Sequence, residues 1–141
     1  MDRSSERTSP ATPDEIRARI RSEHAQISAQ LARVEALSER VGDRESVLAL
    51  REELLVLGKI LIEHLHYEEY QLPSLAGESE VDQMAEDMRE EHRSQRAIFD
   101  SVIRELDETA VGSKLMVGVR ELSRAIRDDM EYEERELLNK P

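Results

Sequence analysis

The sequence predicts an all-α fold, an up-down-up-down antiparallel four-helix bundle, on three observations. Only 5 Gly and 4 Pro occur in 141 residues while 37% of the chain is charged, a balance that suits helices. Apolar residues recur at helical spacing in four stretches of roughly 25 residues, and the runs between them are short, which makes consecutive helices antiparallel neighbours. No alternating run of β-branched or aromatic residues competes, and aromatics make up 3% of the chain.

The first helix opens at "TPDEIRARI". Thr12 can cap it, Pro13 suits its first position and Glu15 completes a capping box. Its apolar stripe is Ile16, Ile20, Ile27, Leu31 and Val34. At "VGD", residues 41–43, Gly42 is expected to end it and Asp43 to cap the next helix. The second helix carries Val47, Leu50, Leu54, Leu57 and Leu61 and must stop at Pro73. "LAGES" reads as a loop, with Ser79 as the cap of a third helix bearing Val81, Met84, Met88, Phe99, Val102 and Leu106. "ETAVGS" is the next break, and the last helix carries Leu115, Val119, Leu122, Ile126 and Leu137. Residues 1–11 read as a flexible N-terminal tail and 12–141 as one bundle, a length that supports a single core.

Several classes are excluded early. A net charge of -12 repels phosphates, which argues against nucleic acid or an anionic membrane as partner. The absence of Cys rules out disulfides, thiolate catalysis and cysteine-ligated clusters. "SVLALREELLVLGKILIEHL" is broken by Arg, Glu and Lys, so no segment spans a bilayer. "MDRSSERTSPATP" lacks the apolar core of a signal peptide, which makes the cytoplasm the expected compartment.

Two segments recur in short, weakly similar form. "SEHAQISAQLARVEAL" at 22–37 matches "EEHRSQRAIFDSVIREL" at 90–106, pairing Glu23-His24 with Glu91-His92. "HLHYEEYQL" at 64–72 matches "DMEYEERELL" at 129–138, pairing His64 with Asp129 and Glu68 with Glu133. His24, His64, Glu68, His92, Asp129 and Glu133 each interrupt an apolar stripe. The stripes read Ile20, His24, Ile27; Leu61, His64, Glu68; Met88, His92, Gln95, Phe99; and Ile126, Asp129, Glu133. Residues four apart share a helical face, so His64 and Glu68, and Asp129 and Glu133, can converge on one point.

One histidine in an apolar stripe is ordinarily a satisfied core residue. Four helices each breaking their stripe, in two related halves, is a far rarer coincidence. Three carboxylates without counter-charge in a low-dielectric core would be very unfavourable, and no Arg or Lys occupies an identifiable core position. Two divalent cations would bring the cluster close to neutrality, and facing helices with such His and Glu spacing are a known way to hold two metals. The expectation is therefore a dimetal site in the bundle core. Mixed imidazole and carboxylate donors without thiolate favour iron or manganese over copper, and zinc is also compatible.

These residues resemble the hemerythrin-like (HHE cation-binding) domains from about residue 13 to 139: a His on helix one, H-x-x-x-E near the end of helix two, a His on helix three, and a matching pair on helix four. The "EH" pairs at 23–24 and 91–92, and "EE" followed by Leu-Pro at 68–69 and 72–73, are also family-like. The resemblance implies two Fe ions. His24 and His64 would bind one, His92 and Asp129 the other, with Glu68 and Glu133 bridging and an oxo or hydroxo bridge and an open position completing the site. The chain departs from the family where Asp129 replaces a His. Met88 and Arg96 stand where the oxygen carriers have a further His. Asp is a harder, anionic ligand that favours ferric iron, so reversible oxygen carriage is expected to be poor.

Nearby residues carry expectations too. Tyr67 and Tyr132 precede the paired glutamates. They could donate hydrogen bonds, supply an electron or ligate the metal; their simpler role is packing at helix seams. Glu69 and Glu134 are expected on the solvated side, unless they orient a ligand histidine from behind. Gln95 is a pocket-lining candidate, Arg96 should reach water, and His66 and Tyr70 should be exposed. Met84, Met88 and Phe99 are read as core, and Gly58 and Gly118 as sites of close packing or a channel. The functional expectation is a di-iron protein reacting with O2, H2O2 or NO, as a peroxidase-like, catalase-like or oxidase enzyme or as a sensor. The alternatives are iron storage, delivery or repair, or an interaction bundle with a structural metal. A monomer or weak homodimer is expected.

Overall fold

The computed structural model describes residues 11–75, 81–108 and 113–138. Helix α1 spans Pro13–Ser38, α2 Arg44–Gln71, α3 Val81–Asp107 and α4 Ser113–Glu133. A 3-10 turn, Leu72–Leu75, follows α2, and a π-helical turn, Glu134–Leu138, extends α4. Helix α1 packs on α2 and α4, and α3 packs on α4 and α2, as an antiparallel four-helix bundle requires. Among the described residues, no helix is long and apolar enough to cross a membrane. The expected tail other than Ala11, the cap Ser79 and the central part of the "ETAVGS" break lie outside the described residues.

The caps form as their residue types dictate. Thr12 Oγ1 accepts from the Glu15 amide while Glu15 reaches back to the Thr12 amide, both at 3.2 Å. Asp43 caps α2 through the Ser46 amide at 2.8 Å, and Ser46 returns the bond. Gly42 does not end α1. That helix stops earlier, at Ser38, with Glu39 still right-handed at the cap, and no described glycine adopts positive φ. Pro73 ends α2 as expected, and the chain tightens into the 3-10 turn instead of leaving abruptly.

The apolar interior falls into two parts. The larger cluster joins Ile27, Leu31 and Val34 of α1, Leu50 to Leu65 of α2, Val102 and Leu106 of α3, and Leu115 to Met130 of α4. The smaller joins Ile16, Ile20, Leu72, Met88 and Leu138. On α1 and α3 the small cluster precedes the large one along the chain, and on α2 and α4 it follows, as alternating helix direction demands. Leu138, not Leu137, fills the last core position. The π turn adds a residue to the helical repeat, so the inward position after Glu133 falls five residues on. Gly58 is a close-packing site: a Cβ there would lie 2.5 Å from Phe99 Cζ. At Gly118 it would meet Val102 Cγ2 at 3.2 Å.

Candidate metal centre

Between the two apolar clusters lies a polar layer, to which every helix contributes. His24 comes from α1, His64 and Glu68 from α2, His92 and Gln95 from α3, and Asp129 and Glu133 from α4. Glu68 and His92 are fully buried, and His24, His64 and Glu133 nearly so. The His24 and His64 rings stand edge to face with centroids 4.9 Å apart. His24 Nε2 lies 3.0 Å from Glu133 Oε1 and 3.4 Å from Glu68 Oε2. His64 Nε2 is 3.0 Å from the same Glu68 oxygen. Across the layer, His92 Nε2 is 3.4 Å from Glu68 Oε1, 3.5 Å from Asp129 Oδ2 and 3.9 Å from Glu133 Oε2. The structure thus brings together all six residues expected from the interrupted stripes.

They form two overlapping groups, His24, His64, Glu68 and Glu133, and Glu68, His92, Asp129 and Glu133, whose donor atoms lie within 4.8 Å of one another in each group. Glu68 and Glu133 belong to both. His24 Nε2 makes hydrogen bonds to Glu133 and Glu68, but the other contacts are close without being hydrogen bonds. His64 Nε2, both ring nitrogens of His92 and Glu68 Oε1 are buried with no hydrogen-bond partner among the described residues. Orphaned donors and acceptors are costly inside a protein, and inward-facing imidazole nitrogens and carboxylate oxygens are the donors a divalent cation takes. The donor set therefore fits a metal.

The electrostatics of the bare cluster point the same way. Burial by itself lowers the basicity of His24, but Glu133 and Glu68 outweigh it and raise its pKa to about 10. His92 is likewise lowered by burial and raised overall, by Asp129, Glu133 and Glu68, to about 11. Burial opposes ionisation of Glu68, yet its contacts with Glu133 and the three histidines hold it well below the usual carboxylate range. Glu133 moves well above that range through burial and the Glu68 charge beside it. Protons stand in for the positive charge the cluster needs.

A second ring of carboxylates sits behind the histidines. Glu23 Oε1 is 2.7 Å from His64 Nδ1, Glu134 Oε2 is 3.2 Å from His24 Nδ1, and Glu69 Oε1 is 3.8 Å from His92 Nδ1. Hydrogen-bonded partners of this kind fix the tautomer and turn Nε2 inward. Glu23 and Glu134 meet that role for His64 and His24; Glu69 lies near His92 without a hydrogen bond to it, and Arg96 binds Glu69 at 3.0 Å instead of simply reaching water. Glu23 is the member that the stripe pattern does not reveal; its pairing with a histidine in both repeats is the available signal. The tyrosines stay outside the cluster. Arg19 stacks over the Tyr67 ring at 3.8 Å, and Tyr132 is 50% exposed. His66 and Tyr70 are exposed, as expected. Gln95 is buried and donates to Asp129 Oδ2 at 2.7 Å.

Searches of curated proteins and of solved structures return no significant match. The family model of the hemerythrin HHE cation-binding domain does match, over residues 15–140. That span takes in all four helices and all six clustered residues, and the chain belongs to the hemerythrin HHE cation-binding domain family.

Proposed function

We propose that this chain is a non-haem di-iron protein that reacts with O2, H2O2 or NO as a redox enzyme or sensor. The observation that carries the reading is the pair of four-residue groups sharing Glu68 and Glu133, with ring nitrogens left unpartnered inside the bundle. His24 and His64 would hold one ion, His92 and Asp129 the other, and the two shared glutamates would span both. Bound iron would supply the electrons that a small oxidant accepts.

The chain's own residues do the rest. Glu23 and Glu134 orient the His64 and His24 imidazoles from behind, and Glu69 sets a negative charge 3.8 Å behind His92. Leu72, Met88 and Leu138 close the layer on one side and Leu65 and Met130 on the other, which limits water at the donors. Asp129 adds a negative charge where the resembled pattern has a neutral imidazole, and that stabilises the higher oxidation state. Turnover or sensing is therefore favoured over reversible oxygen carriage.

Anaerobic ferrous titration followed by exposure to O2, H2O2 and NO, recorded by absorption and Mössbauer spectroscopy, tests the proposal. Two irons per chain and a spectral change with at least one oxidant are expected. A chain that takes up no iron, or an oxygen complex that persists for hours in air, would contradict it. Asp129→His should slow oxidation of the reduced centre, and an unchanged rate would show that the carboxylate does not set the reactivity.

A further inference from the structure

The two halves of the cluster are not alike. One offers two imidazoles besides the shared glutamates; the other offers His92 and the shorter, charged Asp129. An aspartate at an interior position has a choice of rotamers, and Asp129 is not sealed in: its side chain is 12% exposed. Left alone, it gains hydration by turning its oxygens outward. Gln95 acts against that. It lies one helical turn past His92 on the inner face of α3, is 1% exposed and makes a 2.7 Å bond from Nε2 to Asp129 Oδ2. The same oxygen lies 3.5 Å from His92 Nε2. Gln95 also hydrogen-bonds the Glu91 carboxylate, so its amide is held between the two acids, and its 2.7 Å bond ties it to the inward rotamer of Asp129. A carboxamide has no charge of its own to add, so it orients the carboxylate without neutralising it.

We propose that Gln95 is the positioning residue that turns Asp129 into a metal ligand, and that the pair makes the His92 half of the centre a separate, harder cation position. This rests on the dimetal reading of the cluster. Gln95 acts through Asp129 and touches no metal itself. Its removal should weaken one cation position and leave the other, built from His24 and His64, as it was.

The test is calorimetric titration of the metal-free full chain with Mn2+ under anaerobic conditions, repeated with Fe2+, on the parent protein, Gln95→Leu, Gln95→Met, Asp129→Ala and the Gln95→Leu/Asp129→Ala double variant. Far-UV circular dichroism of each metal-free variant confirms the helical fold, and the near-isosteric Gln95→Met serves if Gln95→Leu does not fold. The parent should bind two ions in two resolved steps. Both Gln95 variants should weaken one step by about ten- to hundredfold, the usual scale for losing a residue that orients a ligand, with the other unchanged. Asp129→Ala should weaken the same step, and Gln95→Leu should add nothing on top of it, the non-additivity expected of a residue acting through its partner. Equal weakening of both steps, no weakening, or an additive double variant overturns the role of Gln95 while the dimetal reading stands. A folded parent chain that binds neither ion overturns both.

Discussion

Stripped of metal, the protein should lose stability steeply as pH rises. In the bare cluster His24 and His92 keep their protons up to about 10 and about 11, against 6.5 for a free histidine. Folded-state values above the unfolded one mean that their stabilisation is fully present below about pH 6.5 and lost as pH climbs through those raised values. Each proton held only by the folded chain makes the loss ~1.4 kcal/mol per pH unit, so the two histidines together cost up to ~2.7. From about pH 7 to 9 that is at most on the order of 5 kcal/mol, comparable with the whole stability of a small domain. With metal on the ring nitrogens those protons are gone, and the dependence should flatten. Urea unfolding followed by circular dichroism, at a series of pH values with and without chelator, measures both curves. A chelated protein whose midpoint stays level or rises across this window would refute the account of the cluster as a charge-deficient layer held by protons.

Other expectations are narrower. Glu68→Ala should abolish uptake at both cation positions, because both groups share that residue, whereas His24→Ala should leave about half the metal by elemental analysis; equal losses would argue against a shared glutamate. Gly58→Ala drives a methyl group to 2.5 Å from the Phe99 ring. The overpacking, about 1–3 kcal/mol, should outweigh the ~1 kcal/mol that alanine gains in a helix, with Phe99→Leu restoring stability in the double variant. Glu35 ties α1 to α4, accepting from Ser123 at 2.6 Å and Arg127 at 2.8 Å. Glu35→Ala should cost under about 1 kcal/mol in urea melts, since the pair is well exposed. Burial works against ionisation of Glu35, but Ser123 and Arg127 hold its carboxyl below 4.5. Its contribution is therefore present above that pH and fades on acidification, and the variant should narrow its deficit in acid.

The interrupted stripes made the cluster readable. His24, His64, Glu68, His92, Asp129 and Glu133 each take a place where helical spacing calls for Leu or Ile, and spacing alone puts them inside. Thr12, Asp43 and Pro73 were readable because capping and helix termination are local chemistry. What escaped depends on contacts between helices or on departures from regular spacing. Glu23 lies off its helix's inner face and shows its role only once α2 brings His64 to it. The π turn moves the inward position from Leu137 to Leu138, which a regular repeat does not anticipate. Gly42 has the residue type of a helix stop, but α1 gives out at Ser38 and no left-handed turn is needed. Gln95 was visible as an inner-face residue, while its partner Asp129 sits 34 positions away in the chain.

The division of the interior by a polar layer has a mechanical consequence. Ile16, Ile20, Leu72, Met88 and Leu138 form an apolar cap too small to hold itself in place, and greasy contact with the main body is cut by the ring of acids and imidazoles beneath it. Whatever occupies that ring acts as a rivet between lid and barrel. Lose the rivet, and the start of α1, the Leu72–Leu75 turn and the Glu134–Leu138 turn should loosen together, exchanging amide hydrogens early while the far end of the bundle stays shut.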